Sequence, residues 1–306
     1  MSDYSYLGVG KIYLKESGAA LGHLEVGNCS TLNLGVTEEE KKLKDFTAGG
    51  GGTRNSVKRI DTVTASFTMH DLNGANLARA LYGATSAVTS AAVTGEALTV
   101  YPDALSPFAF IPASTPTPTI VPAQASATAR ANTTAYALGA YVTPATTNGY
   151  YYKATAAGTS GSSIPTYPTT IGGTVTDGTV TWTCAGKTAL VSGTDYEIRG
   201  AGVYAFSDST IAGETWTAGY TKAATDVVQA LVTSGKEYEL VFDGLNEARS
   251  GKKTRITAFR VKPGALAQLA LIGEDYAGAE VSGEVLQDST KVGDGISKYF
   301  KLEIQQ

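Results

Sequence analysis

Apolar and polar residues alternate with a period of two through several stretches of this chain. VTASFTMH sets Val63, Ala65, Phe67 and Met69 against Thr64, Ser66 and Thr68, the pattern of a strand with one buried face. STLNLGV places Leu32, Leu34 and Val36 on one side. KEYELVF sets Tyr238, Leu240 and Phe242 against Glu237, Glu239 and Val241, and KYFKLEIQQ sets Phe300, Leu302 and Ile304 against Lys301, Glu303 and Gln305. The polar, glycine-bearing run DGLNEARSGKKTR between Phe242 and Ile256 predicts a hairpin connection. One helix is expected, in DLNGANLARALYG. Asp71 is its expected cap, Leu72, Leu77, Ala80 and Leu81 its apolar stripe, and Gly83 its left-handed stop. Many strands and one helix predict a mainly β (β-rich α+β) fold.

Charge divides the chain. Residues 113–189 contain only four charged side chains, Arg130, Lys153, Asp177 and Lys187, against 48 on the other 229 residues. Prolines mark the same place: Pro102, Pro107, Pro112, Pro116, Pro118 and Pro122 follow a stretch with none. Each removes a backbone donor, so residues 113–122 are expected to be an extended linker. The predicted organisation is a discontinuous host domain, 1–112 and 188–306, carrying an inserted small all-β module, 123–187, of Ig-like or carbohydrate-binding-like type. The formal net charge of −4 then separates into +2 for the insert (three basic, one acidic) and −6 for the host (21 basic, 27 acidic).

Residues 37–59, TEEEKKLKDFTAGGGGTRNSVKR, fit a compact sheet poorly. They hold ten charges and four consecutive glycines. A loop this long is either solvated chain or an arm that orders against another subunit. For an arm, Glu38, Glu39, Glu40, Lys41, Lys42, Lys44, Asp45 and Arg54 would supply mixed charge, and Phe46 an apolar anchor.

Catalytic and metal chemistry find little support. His23 and His70 stand outside any spaced ligand set, and Cys29 and Cys184 are 155 residues apart, so neither a zinc site nor a disulfide framework is predicted. Gly49–Gly52 lack the Lys-Ser/Thr of a phosphate loop, and the glycines of LGVGK precede a strand instead of a helix. Glu274 and Asp275, as sequence neighbours, would point apart on a strand. No catalytic residue, no metal site and no cofactor is expected. Mild acidity argues against a dedicated nucleic-acid binder, no run approaches the roughly 20 apolar residues of a membrane span, and the N-terminus carries no secretory-signal pattern.

The insert is rich in aromatics. Tyr150, Tyr152 and Tyr167 among threonines, serines and glycines are candidate glycan-facing residues. Tyr151 and Trp182 are the expected core of a small β-sandwich, which needs aromatic bulk to bury enough area.

Three stretches together, DLNGANLARALYG, GTDYEIRGAGVYAF and YELVFDGLNEARSGKKTRITAFRVKPGALAQLALIGEDYAGAEVSGEVLQD, resemble the major tail tube proteins of long-tailed (siphovirus-like) bacteriophages. The FDGLN turn, Val261–Lys262–Pro263 and the GEDYAGAEVSGEVLQD strand occur in that family's order, across most of the host domain. The insert is similar to small β modules that decorate phage virions. The resemblance implies a tail-tube-type β-sandwich or barrel-forming domain with one flanking helix, and subunits in stacked rings, usually hexameric. It implies a virion location after assembly in the host cytoplasm, a tape-measure protein in the bore, and passage of double-stranded DNA without specific binding. It also makes residues 37–59 the inter-ring arm.

A bore for DNA should not present free cations, which would trap phosphate. Candidate wall residues are Glu280 and Glu284, with Ser282 between them, and Glu237 and Glu239. The leading expectation is a structural tube subunit and not an enzyme. The alternative is a lectin-like adhesion protein binding cell-surface glycan through the insert. A polysaccharide-degrading enzyme ranks last for want of a carboxylate pair, and a related tail terminator or injectosome tube is the nearest rival in the structural class.

Overall fold

The computed structural model describes residues 4–47, 49–207 and 214–306. Ala48 of the predicted arm and the first three residues of the N-terminal reading lie outside them. The chain is mainly β, and none of its sheets closes into a barrel. It forms two compact units: the chain up to Ser86 together with Asp226–Gln306, and Ala87–Thr225.

The first unit is built on one eight-stranded sheet. Its strands are β1 (Gly8–Glu16), β2 (Leu24–Glu25), β3 (Cys29–Lys44), β4 (Thr53–Met69), β5 (Tyr238–Asn246), β6 (Lys252–Pro263), β7 (Ala279–Val285) and β8 (Phe300–Ile304). The order is β2-β1-β5-β6-β7-β4-β3, with β8 pairing β6 at Thr254–Ala258, outside the stretch where β7 pairs it. All pairs are antiparallel. The alternation read from sequence selects the buried face: Ile12, Leu14, Phe67, Met69, Tyr238, Leu240, Val261 and Val281 form one core. Leu32 and Leu34 pack on it only partly, and Val36 is exposed, because β3 is an edge strand with a neighbour on one side.

The single α-helix, α1 (Gly74–Ala80), is shorter than its sequence pattern. Its cap is Asn73, whose side chain accepts from the Asn76 amide at 2.9 Å. Asp71, the expected cap, instead accepts from the Asn28 amide at 3.0 Å. Tyr82, at φ 49°, takes the left-handed position expected of Gly83. Gly83 is needed for a different reason, since a Cβ there would stand 2.6 Å from the Gln229 carbonyl. Within the helix only Asn76 and Ala80 are buried, while Leu72, Leu77 and Leu81 are partly exposed. Asn76 ties the helix to the sheet by donating to the carbonyls of Val26 and Asp71.

The hairpin after Phe242 has longer strands than expected. β5 runs through FDGLN, and Glu247–Arg249 form one short 3-10 turn before β6. The motif has a packing logic. Cβ atoms built at Gly10 and Gly244 would lie 2.7 and 2.2 Å from the Phe242 ring, so the two glycines make room for it. Asn246 accepts from the Leu7 amide and donates to the Ser5 carbonyl, fixing the chain that leads into β1.

The second unit contains two cores. Leu98, Val100, Tyr196, Val203, Trp216 and Tyr220 belong to one, built from two three-stranded sheets. Val142, Tyr152, Tyr167, Val180, Trp182 and Cys184 belong to the other, around the sheet of Tyr141–Val142, Tyr150–Ala156, Val180–Lys187 and Thr174–Asp177. Residues 123–187 thus have a core of their own. The flanking 87–112 and 188–225 pack with them in one unit, whereas composition had grouped those flanks with the host. Part of the proline-rich linker is a strand, Thr119–Val121, paired with Glu214–Lys222.

Candidate assembly surfaces

Of residues 37–59, 37–44 and 53–59 are paired strand and not a solvated loop. β3 and β4 continue past the core as a two-stranded ribbon, paired from Val36↔Val63 to Lys44↔Thr53, with a register shift after Thr37. Pairing satisfies the inward backbone groups of the ribbon, but a two-stranded ribbon without a core is marginal on its own and is held here by its continuity with the sheet. From Glu38 to Ile60 no described residue is buried. The charged residues mostly pair with one another: Glu40 with Lys42 at 3.0 Å, Glu39 with Lys41 at 3.5 Å and Glu38 with Lys58 at 3.7 Å. Lys44, Arg54 and Phe46 are exposed, Phe46 at 84%. Asp45 turns the tip by accepting from the Thr47 hydroxyl and amide, which holds its carboxyl below its ordinary pKa. Leu43, Val57 and Ile60 are exposed along the ribbon.

The two carboxylate sets expected at a bore fall on one surface. Residues directly opposite in an antiparallel pair share a face. Lys15↔Glu239, Lys262↔Glu284, Glu284↔Thr64 and Glu280↔Thr68 therefore lie together on the face turned away from the core. Glu237 joins them through Arg260, which donates to it at 2.8 Å. This open face is not uniformly acidic, as its carboxylates are interleaved with cations. Lys11 pairs with Glu25 at 3.0 Å, Arg255 with Glu303 at 2.6 Å, and His23 lies 3.4 Å from Glu239. The Glu25 hydrogen bond raises the Lys11 pKa, and the Arg255 hydrogen bond lowers that of Glu303. A concavity of about 840 Å³ on this face is lined by Tyr13, His23, Glu239, Arg255 and Lys301, among others. Among the described residues, no group of three or more His, Cys, Asp or Glu side chains is placed to hold a metal ion.

In the insert, two of the three candidate glycan-facing tyrosines are core residues. Tyr152 is fully buried, with its hydroxyl on the Pro168 carbonyl at 2.7 Å, and Tyr167 packs against it. Tyr150 is half-buried against the same core. Trp182 fills the core as expected. Tyr151 is buried too, but its hydroxyl donates to Glu214 at 2.8 Å, and Trp216 donates to the other oxygen of that carboxylate. Burial raises the Tyr151 pKa, with the Glu214 charge adding to the effect. Strand alternation places neighbouring tyrosines on opposite sides, so a YYY run could not present all its rings to a ligand.

Each of the four charges in the low-charge segment has a partner. Arg130 and Asp177 are buried together: Arg130 Nε and Nη2 donate to the two Asp177 oxygens at 2.9 and 2.7 Å. The same carboxylate accepts from the Trp182 indole and the Gly161 amide. Lys153 lies over the Tyr141 ring, and Lys187 pairs with Asp195. Sequence reasoning saw the scarcity of charge in this segment but missed this pairing, since a 47-residue separation leaves no local signal.

A family model described as "Protein of unknown function UCP028589" matches residues 5–163 and 166–303. The chain belongs to this family. The match runs through both units and through the inserted core, so that core is part of the family's common pattern. No curated protein matches the chain. No helix among the described residues is long and apolar enough to cross a membrane.

Proposed function

We propose that the chain is a structural virion subunit that self-assembles into stacked rings forming the tail tube of a long-tailed phage, a conduit for double-stranded DNA. The observation that carries this reading is the β3–β4 ribbon: from Glu38 to Ile60 none of its described residues is buried, and Leu43, Phe46, Val57 and Ile60 are exposed along it, so it gains packing only when another subunit receives it.

The ribbon, with Phe46 at its tip, is the inter-ring arm in this reading. The open face of the sheet, with Glu237, Glu239, Glu280 and Glu284, lines the bore. Its carboxylates act by neutralising the neighbouring lysines and arginines, so a passing polyanion meets no row of free cations. The tape-measure protein and the DNA are the partners this bore would hold in turn. The lectin-like alternative loses its main support with Tyr152 and Tyr167 buried. Electron microscopy of the concentrated protein tests the reading. Hollow tubes or stacked rings are the expected result, and a monomer that binds glycan would overturn it.

A further inference from the structure

One loop of the first unit exposes apolar side chains in a way that folding alone does not explain. Between β6 and β7, residues 264–278 read GALAQLALIGEDYAG. Leu266 packs on the core, and its amide donates to the Ala80 carbonyl. Beyond it, Leu271 is 75% exposed, Ile272 98% and Tyr276 97%. Ile272 touches essentially nothing on its own chain. Isolated exposed apolar residues are ordinary, whereas a cluster of this size on one loop marks an interface.

A complementary surface lies at the other end of β6. There the core face of the sheet runs on past the helix that covers it. Phe242 and Ile256 are half-buried, and Leu302 and Ile304 on β8 are 53% and 43% exposed although they belong to the apolar face. Here the Tyr6 ring stands over Gly8 and the Phe242 ring over Gly10 and Gly244, so the exposed apolar side chains are those of β8. Thr254 Oγ1 is buried beside it without a hydrogen-bond partner among the described residues. Charge matches as well. The loop carries Glu274 and Asp275 and no cation, a net −2. The turn beside this end of β8 carries Arg249, Lys252 and Lys253 against Glu247, a net +2.

From Thr254 to Pro263 the strand extends about 30 Å, so donor and acceptor are rooted at opposite ends of one unit. Resting on the self-assembly reading, we propose that the 264–278 loop of one copy covers the exposed apolar side chains of β8, Leu302 and Ile304, on the next. This contact is heterologous: the two surfaces differ, each subunit offers one of each, and the contact propagates from copy to copy into a ring or stack.

The test uses two full-length variants, L271S/I272S for the loop and L302S/I304S for the face, followed by sedimentation. Each is expected to weaken association on the order of 100-fold, since both remove two apolar anchors. Mixed in equal amounts, the two variants should form a discrete dimer and nothing larger, because the pair retains a single productive contact. Wild-type-like assembly of L271S/I272S overturns the proposal, and so does a mixture that yields no dimer. The loop variant leaves the core untouched. E274K/D275K probes the same contact and should weaken association most at low salt. Wild-type protein that stays monomeric at every soluble concentration overturns the self-assembly reading itself, which separates that failure from this one.

Discussion

Arg130 and Asp177 show how much a single pair can decide in a small core. Both side chains are almost wholly inaccessible, and every Asp177 lone pair in use faces a donor on Arg130, Trp182 or Gly161. Burial opposes the Asp177 charge, but these hydrogen bonds outweigh it and hold its pKa below the ordinary aspartate value. A folded pKa below the unfolded one means the pair stabilises above about pH 3.9 and loses that contribution as pH falls through the lower folded value. Asp177→Ala strands a buried guanidinium and should cost about 3–5 kcal/mol, read by denaturant unfolding of the full chain. A loss under 1 kcal/mol would refute the assignment. The residues were visible in the sequence as rare charges. Their pairing was not, because the hydrogen bonds join loops and strands distant along the chain. The tyrosine run carries the same lesson: its composition suited stacking on sugar, and only the alternation of the strand, with a bulge between Tyr151 and Tyr152, sends one ring to Glu214 and the next into the core.

At the scale of elements, period-two patterning was a sound guide wherever a strand lies over the core. β4 buries Val63, Ala65, Phe67 and Met69, and β5 buries Tyr238 and Leu240, as the pattern selects, since one face of each is closed by neighbours. It misled at the ends. β8 has the alternation of a buried strand, yet Leu302 and Ile304 stay exposed because no described residue covers them. The loop reading of residues 37–59 departs in the opposite sense. Their charges and glycines suggest a loop, but β3 and β4 continue their pairing from the sheet through this segment. Replacing residues 39–58 by a tight turn removes no buried side chain among the described residues. Thermal unfolding of that variant should change little, since exposed ion pairs contribute at most about 1 kcal/mol each, while tube formation scored by electron microscopy is lost. Tubes of normal length from the shortened chain would remove the arm from the assembly mechanism.

At the scale of the molecule, two expectations concern what the assembled tube does. Glu237→Gln with Glu303→Gln frees Arg260 and Arg255 on the open face. Tubes of that variant should retain DNA at low salt in a gel-shift assay and release it as salt rises, whereas wild-type tubes do not retain it. Equal mobility for the two would place this face away from the bore. Residues 123–187 have their own core, and Pro122 and Lys187 line a common cavity, so a short linker can replace the segment. Tubes should still form without it, and their loss would give the inserted core an assembly role. The sequence by itself determined the mainly β class, the faces of the strands over the core and the low-charge segment, because these depend on local pattern and composition. Only the tertiary structure decided that both carboxylate sets share one face, that the arm is a paired ribbon, and that the rare charges close a core. Each of those depends on strand register or on contacts between residues far apart in the chain, and no local stretch of sequence encodes either.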